Sequence, residues 1–269
     1  MEEIVLSRND RFILSSTSKG NQIKWFKDNK YIKADTMGYE GFAEALTSEL
    51  FGFIETDYSY IDYFLCSIKE VHNDVATTYN GCYSNNYLED NESFISFYRL
   101  MKGRKKDLDI LLKKYNGLDL VKFVVSEIYD ITGLDCRDYL GFLTRFDALI
   151  LNEDRHFNNI CLVYNSEYNR YSLSPVFDNG LSLLSDTSDY PLGANVNVCV
   201  RNVKSKPFST SFSKQVRYFD ADLIRINYNG FLRSLDYYSD VFDNDSYKRA
   251  RYVLLSRLSN TEGKLWKRV

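Results

Sequence analysis

One stretch of the chain, residues 151–180, restricts the fold and the chemistry more than any other. It contains two short apolar runs, NICLVY and RYSLS, joined by the turn-forming residues NSEYN. Runs of β-branched and aromatic residues separated by such a turn predict a β-hairpin. Asp154 and Asn159 lie at the entry to this hairpin, and Asp178 follows its exit. Because a hairpin brings its two open ends back beside each other, we expect these three side chains to converge on one site.

The three side chains suit phosphoryl transfer. Mg²⁺ prefers carboxylate and carbonyl oxygens, so Asn159 and Asp178 are the predicted metal ligands. Asp154 would accept the proton of an attacking hydroxyl, as the catalytic-loop aspartate of protein kinases does, and the asparagine again follows five residues later. Here a histidine, His156, follows the aspartate instead of preceding it. His156 is a further catalytic candidate, either bracing the loop or contacting phosphate. Turn and capping chemistry is the alternative for an isolated DRHFNN, and the hairpin with its second aspartate disfavours it.

These motifs, DRHFNN and SPVFD, resemble the catalytic pattern of the HipA-like serine/threonine kinases. The short chain is similar to the stand-alone CtkA-type (cell-translocating kinase A) members of that group. The resemblance implies an α+β, two-lobed protein-kinase-like fold, with a small β-rich amino-terminal lobe and a mostly helical carboxyl-terminal lobe. It also implies ATP and Mg²⁺ as cofactors, transfer to a serine or threonine of a protein substrate, and a cognate inhibitor protein as a partner.

Near the amino terminus, the sequence SSTSKGNQ is predicted to form a turn between two strands. Its small residues would let backbone amides approach phosphate. It lacks the pattern G-x-G-x-x-G, however, and taken alone it favours a solvated hairpin turn. The segment GNQIK resembles the phosphate-loop motif of HipA-like kinases. By that resemblance, Ser18, Gly20 and Gln22 are candidate nucleotide-binding residues, and Ser16, Thr17 and Ser18 are candidate autophosphorylation sites.

A lysine, Lys33, interrupts the apolar strand KYIKA. A lysine there is costly unless its ammonium group is paired or reaches solvent, so it is either an edge-strand residue or the strand lysine that binds nucleotide phosphates. An amphipathic helix is predicted to follow over residues 39–52, with Glu40 and Glu44 on one side. Either glutamate could pair with Lys33, as kinases require. We favour Glu44, since it lies one turn inside the helix; the alternative is that both are solvated.

We predict a small lobe over residues 1–82 and a large lobe over residues 83–269. A β-meander over residues 3–35 would begin the small lobe, because short apolar runs alternate there with turn-forming clusters. From residue 91 onward the apolar period changes to 3.6, which predicts helices.

The predicted helices of the large lobe can be placed from their apolar residues. Phe94, Phe97, Tyr98 and Met101 would begin the first of three helices. Residues 138–151 predict the strongest helix, leading directly into the Asp154 loop, and residues 219–235 and 247–258 predict two more. Between them, the polar residues 181–207 are either an activation-type segment or a surface loop.

Composition excludes several classes of protein. The net charge of −3 and pI near 5.6 disfavour direct binding of nucleic acid, which relies on a positive field. Five scattered cysteines without a C-x-x-C pair fit a reducing cytosol and offer no zinc site. The amino terminus lacks signal-peptide features, and no apolar run approaches the roughly 20 residues of a membrane span. We therefore expect a cytoplasmic protein without a membrane partner, or, by the family resemblance, a secreted effector or a toxin.

Two alternatives to a protein kinase share the predicted fold. One is a nucleotide-binding pseudokinase that acts as a partner-binding module, and the other is a kinase-fold nucleotidyltransferase. The first is disfavoured because every polar position that the reaction needs carries a competent residue. Hydrolase chemistry is disfavoured because the chain has no G-x-S-x-G and only two histidines.

Overall fold

The computed structural model of the protein describes residues 1–11, 22–239 and 244–269. The fold is α+β, as predicted, with strands dominating the first third of the chain and helices most of the remainder. The strands are β1 (Glu2–Ser7), β2 (Lys24–Lys27), β3 (Lys30–Ala34), β4 (Ile54–Glu55), β5 (Phe64–His72), β6 (Val75–Asn85), β7 (Glu92–Ser96), β8 (Cys161–Asn165), β9 (Arg170–Leu173), β10 (Ile224–Ile226) and β11 (Trp266–Arg268). The helices are α1 (Glu40–Phe51), α2 (Phe97–Arg104), α3 (Leu108–Lys114), α4 (Gly117–Thr132), α5 (Arg137–Ile150), α6 (Val196–Asn202), α7 (Phe212–Val216), α8 (Tyr228–Ser239) and α9 (Asp245–Thr261).

The amino-terminal part is a five-stranded sheet in the order β1-β5-β6-β3-β2. Two of its connections are two-residue turns, Asp28-Asn29 between β2 and β3 and Asn73-Asp74 between β5 and β6. All four turn residues have φ between 48° and 61°. Asparagine and aspartate tolerate this left-handed conformation, and it matches the twist of a tight hairpin. These two turns fix the register of β2 with β3 and that of β5 with β6. The two hairpins join where β3 pairs with β6, with Lys33 opposite Cys82.

The first strand, β1, pairs with β5 in parallel, with Glu2 opposite Cys66. The predicted β-meander over residues 3–35 is therefore wrong for β1 and right for the hairpin of β2 and β3. Alternating apolar residues identified β1 as a strand but carried no information on its neighbour. That neighbour is set by burial, because Leu6 of β1 packs into the same small core as Ile68 of β5.

Helix α1 connects the sheet to the helical part of the molecule. It begins at Glu40 and ends at Phe51, with Gly52 at its carboxyl cap, as the sequence predicted. Phe42 and Leu46 belong to the large core that the later helices build, while Glu44 is buried on the side of the sheet. A helix buried on both sides has a fixed position, which a precise ion pair requires.

The helical part is organised around α5, whose apolar stripe is buried as predicted for residues 138–151. The helix ends at Ile150. Its carboxyl-cap residue, Leu151, has a left-handed φ of 59° and donates its backbone N–H to the carbonyl of Asp147. Left-handed caps of this kind turn the chain sharply out of a helix. Here the turn directs the chain into the loop that carries Asp154.

The predicted hairpin over residues 151–180 is confirmed as β8 and β9. It gains a third strand, β7, so that the sheet has the order β7-β8-β9. The prediction of a helix including Phe94 is consequently wrong, because Phe94 lies in β7 opposite Val163 and the helix α2 begins only at Phe97. Helical spacing of four apolar residues was outweighed by pairing with a strand far away in sequence.

A further correction concerns residues 219–235, for which we predicted a helix. Ile224–Ile226 instead forms β10, which lies between β11 and β4 in a small sheet, and the helix begins at Tyr228. Residues 181–207 contain α6 and the buried side chains of Leu183 and Leu184, so this segment packs into the core.

The predicted boundary between residues 82 and 83 falls within β6 and stays a prediction. Among the described helices, none has the length and apolar character needed to cross a membrane.

Candidate functional site

The ammonium group of Lys33 lies at the centre of a buried polar cluster between the sheet and the helical part. Its Nζ is 2.7 Å from Oε1 of Glu44 and 2.7 Å from Oδ1 of Asp178. The hydroxyl of Tyr63 lies 3.3 Å away. Strand β3, helix α1 and the exit of the β8–β9 hairpin therefore meet at one cation. The sequence predicted Lys33, Glu44 and Asp178 but not Tyr63.

The charges of this cluster depend on one another. Burial disfavours the Lys33 ammonium, but the Asp178 and Glu44 carboxylates outweigh it and hold the pKa of Lys33 well above its usual range. Burial also disfavours an ionised Asp178, but Lys33, followed by Lys24, holds the pKa of Asp178 far below its usual range. For Glu44, burial prevails over the attraction of Lys33 and raises its pKa. Asp178 is thus an ionised carboxylate paired with a lysine cation.

The glutamates of α1 divide into two roles. The second carboxylate oxygen of Glu44 accepts the backbone N–H of Asn179 at 2.8 Å, so the helix holds both Lys33 and the segment after Asp178. Glu40 instead binds the loop before the helix, accepting the backbone N–H groups of Met37 and Gly38 at 2.8 Å each. The structure therefore pairs Lys33 with Glu44, the glutamate that we favoured.

The Asp154 loop is a compact turn closed by its own side chains. Nδ2 of Asn159 donates to the carbonyl of Asp154 at 3.0 Å, and the backbone N–H of His156 donates to the same carbonyl at 2.8 Å. The Asp154 carboxylate accepts a hydrogen bond from Lys206 at 2.8 Å on Oδ1, and Nε2 of His156 lies 3.7 Å from Oδ2. Among the described residues, none forms a hydrogen bond with the buried Nδ1 of His156.

A buried arginine, Arg155, joins the two halves of the site. Its guanidinium donates to the carboxylate of Asp147 in α5 and to the carbonyl oxygens of Asn159 and Phe177, the latter at 2.8 Å. It also donates to the side-chain oxygen of Asn179. The segments containing Asn159 and Asp178 are therefore held in one arrangement by a single cation. We did not predict this role, although an aspartate inside the apolar run of α5 signals a buried partner.

The donor set at the predicted metal ligands fits Mg²⁺. Because the amide nitrogen of Asn159 donates to Asp154, the amide oxygen is the atom that remains to bind a cation. The Asp178 carboxylate is ionised, and its Oδ1 is the atom that pairs with Lys33. Amide and carboxylate oxygens are the ligands that Mg²⁺ prefers. The structure thus accommodates the predicted assignment of Asn159 and Asp178, which stays a prediction.

A second acidic group lies close by and was not predicted. Carboxylate oxygens of Glu153, Asp186 and Asp189 lie within 4.8 Å of one another. Glu153 accepts a hydrogen bond from the Tyr190 hydroxyl at 2.8 Å, and Asp186 accepts backbone N–H groups of its own turn. These contacts tie the residue next to Asp154 to the segment after Asp178.

The predicted phosphate loop is described only at its end. Ser16, Thr17, Ser18 and Gly20 lie outside the described residues, so their predicted roles stay predictions. The side chain of Gln22 donates to the carbonyl of Ala34 in β3 at 3.1 Å. In this structure Gln22 therefore fixes the chain against the Lys33 strand.

Comparison with known proteins supports the class of fold that this site suggests. No protein-family model and no curated protein matches the chain. The structure is similar to the crystal structure of a Helicobacter pylori proinflammatory kinase, CtkA, with a TM-score of 0.58 and 14% sequence identity. The similarity covers 95% of this chain and 94% of that chain. The chain therefore has a kinase-like fold.

Proposed function

We propose that this protein is an ATP- and Mg²⁺-dependent protein serine/threonine kinase of the HipA-like, CtkA type. The observation that carries the proposal is the cluster in which Lys33 contacts Glu44 and Asp178 at 2.7 Å each. Kinases need a strand lysine held by a helix glutamate beside a metal-binding aspartate. In this cluster the strand lysine is Lys33 and the helix glutamate is Glu44, and Asp178 beside them would be the metal ligand. The kinase-like fold supports the same conclusion.

The nucleotide phosphates would bind beside Lys33. Lys24 is paired with Lys33 across β2 and β3, and directly paired residues of neighbouring strands lie on the same face of a sheet. The positive charge of Lys24 also lowers the pKa of Asp178, so both lysines act on the same region. Two cations on one face of the sheet would stabilise a polyphosphate there.

Asn159 and Asp178 would hold Mg²⁺, which when bound neutralises charge on the β- and γ-phosphates. Arg155 keeps these two ligands in register through its hydrogen bonds to the carbonyl oxygens of Asn159 and Phe177. Lys33 keeps Asp178 ionised at neutral pH. In this way the protein prepares the ligands before the nucleotide arrives.

Asp154 would orient the attacking hydroxyl of a protein serine or threonine. As the hydroxyl oxygen forms its bond to the γ-phosphorus, the bond from that phosphorus to the β–γ bridging oxygen breaks and ADP leaves. The hydroxyl proton passes to the Asp154 carboxylate, whose side chain is 15% exposed. Residues 16–18 are proposed autophosphorylation sites, on the strength of the family resemblance.

Incubation of the purified protein with labelled ATP and Mg²⁺ tests the proposal. We expect the label to pass to the protein itself or to a generic protein substrate, and chelation of the metal to stop transfer. Asp154→Asn should lower the rate on the order of 100-fold or more, since a positioned general base contributes at least that much. Asp119→Asn, an exposed change in α4, is the matched control.

Mass spectrometry of the product distinguishes the alternatives. A mass increase of one phosphate group supports a kinase, whereas addition of a nucleotide would identify a nucleotidyltransferase. Nucleotide-dependent thermal stabilisation without any transfer would identify a pseudokinase. Equal labelling of the wild type and Asp154→Asn would overturn the assignment of Asp154.

A further inference from the structure

The Asp154 carboxylate has a partner that comes from a distant segment of the chain. Nζ of Lys206 lies 2.8 Å from Oδ1 of Asp154, although the two residues are 52 positions apart. The Lys206 side chain is 38% exposed, so its ammonium group lies at the protein surface and not in the core. A partly exposed side chain contributes little to core packing. Packing alone therefore does not explain why the Lys206 ammonium group contacts the proposed proton acceptor, Asp154.

The turn that presents Lys206 is rigidly held. The Ser205 N–H donates to the Thr210 carbonyl at 3.2 Å, and its hydroxyl donates to the Ser209 carbonyl at 2.6 Å. Phe208 is buried, and its backbone N–H donates to the side chain of Gln215 at 2.9 Å. The backbone on both sides of Lys206 is thus fixed by hydrogen bonds.

Phe208 also locks this turn onto the Asp154 loop. Its ring packs edge-on against Phe157, with centroids 5.7 Å apart, and against Phe219 at 5.6 Å. Phe157 is three residues after Asp154 in the same loop. The loop that carries the carboxylate and the turn that carries the ammonium group therefore form one packed unit.

We propose that Lys206 is a positioning residue for phosphoryl transfer, an inference that rests on the proposed kinase function. Its hydrogen bond holds one oxygen of Asp154, so that the carboxylate keeps a fixed orientation toward the incoming hydroxyl. Lys206 acts through Asp154, and the bonds made and broken are those of the transfer to the protein hydroxyl described above.

This role has a definite kinetic signature. A carboxylate that loses its orientation slows the chemical step, and misplacement by about 1 Å is enough to cost roughly 100-fold. Nucleotide binding depends on Lys33 and the β2–β3 face, which Lys206 does not contact in the described structure. The change in kcat should therefore be large and the change in KM for ATP small.

Steady-state kinetics of Lys206→Met and Lys206→Arg test the inference. Methionine retains most of the aliphatic stem and removes the charge, and we expect kcat to fall by about 10- to 100-fold with KM for ATP within about twofold. Arginine restores a cationic donor and should recover most of kcat. Lys204→Met, at an exposed position two residues away, is the matched control and should match the wild type.

Thermal unfolding of each variant, with and without ATP, accompanies the kinetics. Wild-type kcat in Lys206→Met overturns the role of Lys206 while leaving the proposed function intact. A loss in Lys206→Met that Lys206→Arg does not restore, or a fall in melting temperature that parallels the loss, assigns Lys206 a purely structural role and also overturns it. Absence of transfer by the wild type overturns the proposed function, and this role with it.

Discussion

Arg155 and Asp147 form an ion pair that is almost completely buried, with 1% and 0% of their side chains exposed. Nε of Arg155 lies 3.1 Å from Oδ2 of Asp147, and Nη2 of Arg155 lies 3.1 Å from Oδ1 of Asp147. Burial raises the pKa of Asp147, and Arg155 opposes this rise. The pair links helix α5 to the loop that follows it. An arginine adjacent to the proposed catalytic aspartate thus faces the core.

We predict that Arg155→Met destabilises the protein by about 3–5 kcal/mol, because it leaves the Asp147 charge buried and unpaired. Phosphoryl transfer should also fall, since Arg155 holds the carbonyl oxygens of Asn159 and Phe177. Urea unfolding followed by circular dichroism measures the first effect, and labelled ATP the second. Arg99→Met, at an exposed position in α2, is the control.

The double variant Arg155→Met with Asp147→Leu separates stability from positioning. Removing both charges should recover part of the lost free energy of unfolding, because apolar residues often replace a buried ion pair at little cost. Activity should remain low, since the carbonyl oxygens of Asn159 and Phe177 still lack their donor. Recovery of activity together with stability would contradict a positioning role for Arg155.

The parts of the site that could be predicted from sequence are those with short-range signals. A lysine inside an apolar strand and a glutamate one turn inside the next helix indicated the pair of Lys33 and Glu44. Two apolar runs and a turn indicated the hairpin. A hairpin brings its two ends together, so the sequence alone predicted that Asp178 lies near Asp154. Each inference needed only residues within about 30 positions of one another.

The remainder depends on contacts that local patterns do not encode. Lys206 reaches Asp154 because Phe208 packs against Phe157, and nothing in the local sequence indicates that packing. Phe94 has helical spacing with its successors, yet it pairs with Val163 of β8. In both cases a long-range partner decides the outcome, so a single sequence without its tertiary contacts leads to the wrong element or misses the residue.

The buried cluster around Lys33 leads to a separate prediction. Lys33→Met removes the cation between Glu44 and Asp178, and we expect the loss of about 3 kcal/mol of stability, since two carboxylates then remain in a poorly solvated site. Adding Glu44→Gln should restore part of the stability, because it removes one of those charges. Phosphoryl transfer should stay absent in both variants. Melting temperatures and labelled ATP provide the two readouts.

The neighbouring glutamate supplies the comparison for that prediction. Glu40→Gln leaves the carboxylates of both Glu44 and Asp178 in place. Adding it to Lys33→Met should therefore restore none of the lost stability. Equal rescue of Lys33→Met by Glu40→Gln and by Glu44→Gln would contradict the specific pairing of Lys33 with Glu44.

We predict that Asp35, which immediately precedes the loop to α1, makes the free energy of unfolding depend on pH. Burial, followed by the Glu40 carboxylate, raises the pKa of Asp35 to about 7, although the Gly41 N–H favours its ionised form. Between about pH 4 and pH 7 the folded protein therefore keeps a proton that the unfolded chain releases. Unfolding then releases a proton, so the contribution of Asp35 to the free energy of unfolding decreases as the pH rises through this range.

We expect Asp35→Asn to remove this dependence. Asparagine keeps an oxygen that accepts the Gly41 N–H, but it does not ionise. The variant should match the wild type near pH 4 and exceed its free energy of unfolding by about 2–4 kcal/mol at pH 8. Urea unfolding across this pH range measures the difference between the two proteins, and Asp90→Asn, at an exposed position, controls for loss of one negative charge. A difference that is constant with pH, or one that Asp90→Asn reproduces, would show that Asp35 does not retain its proton in the folded state.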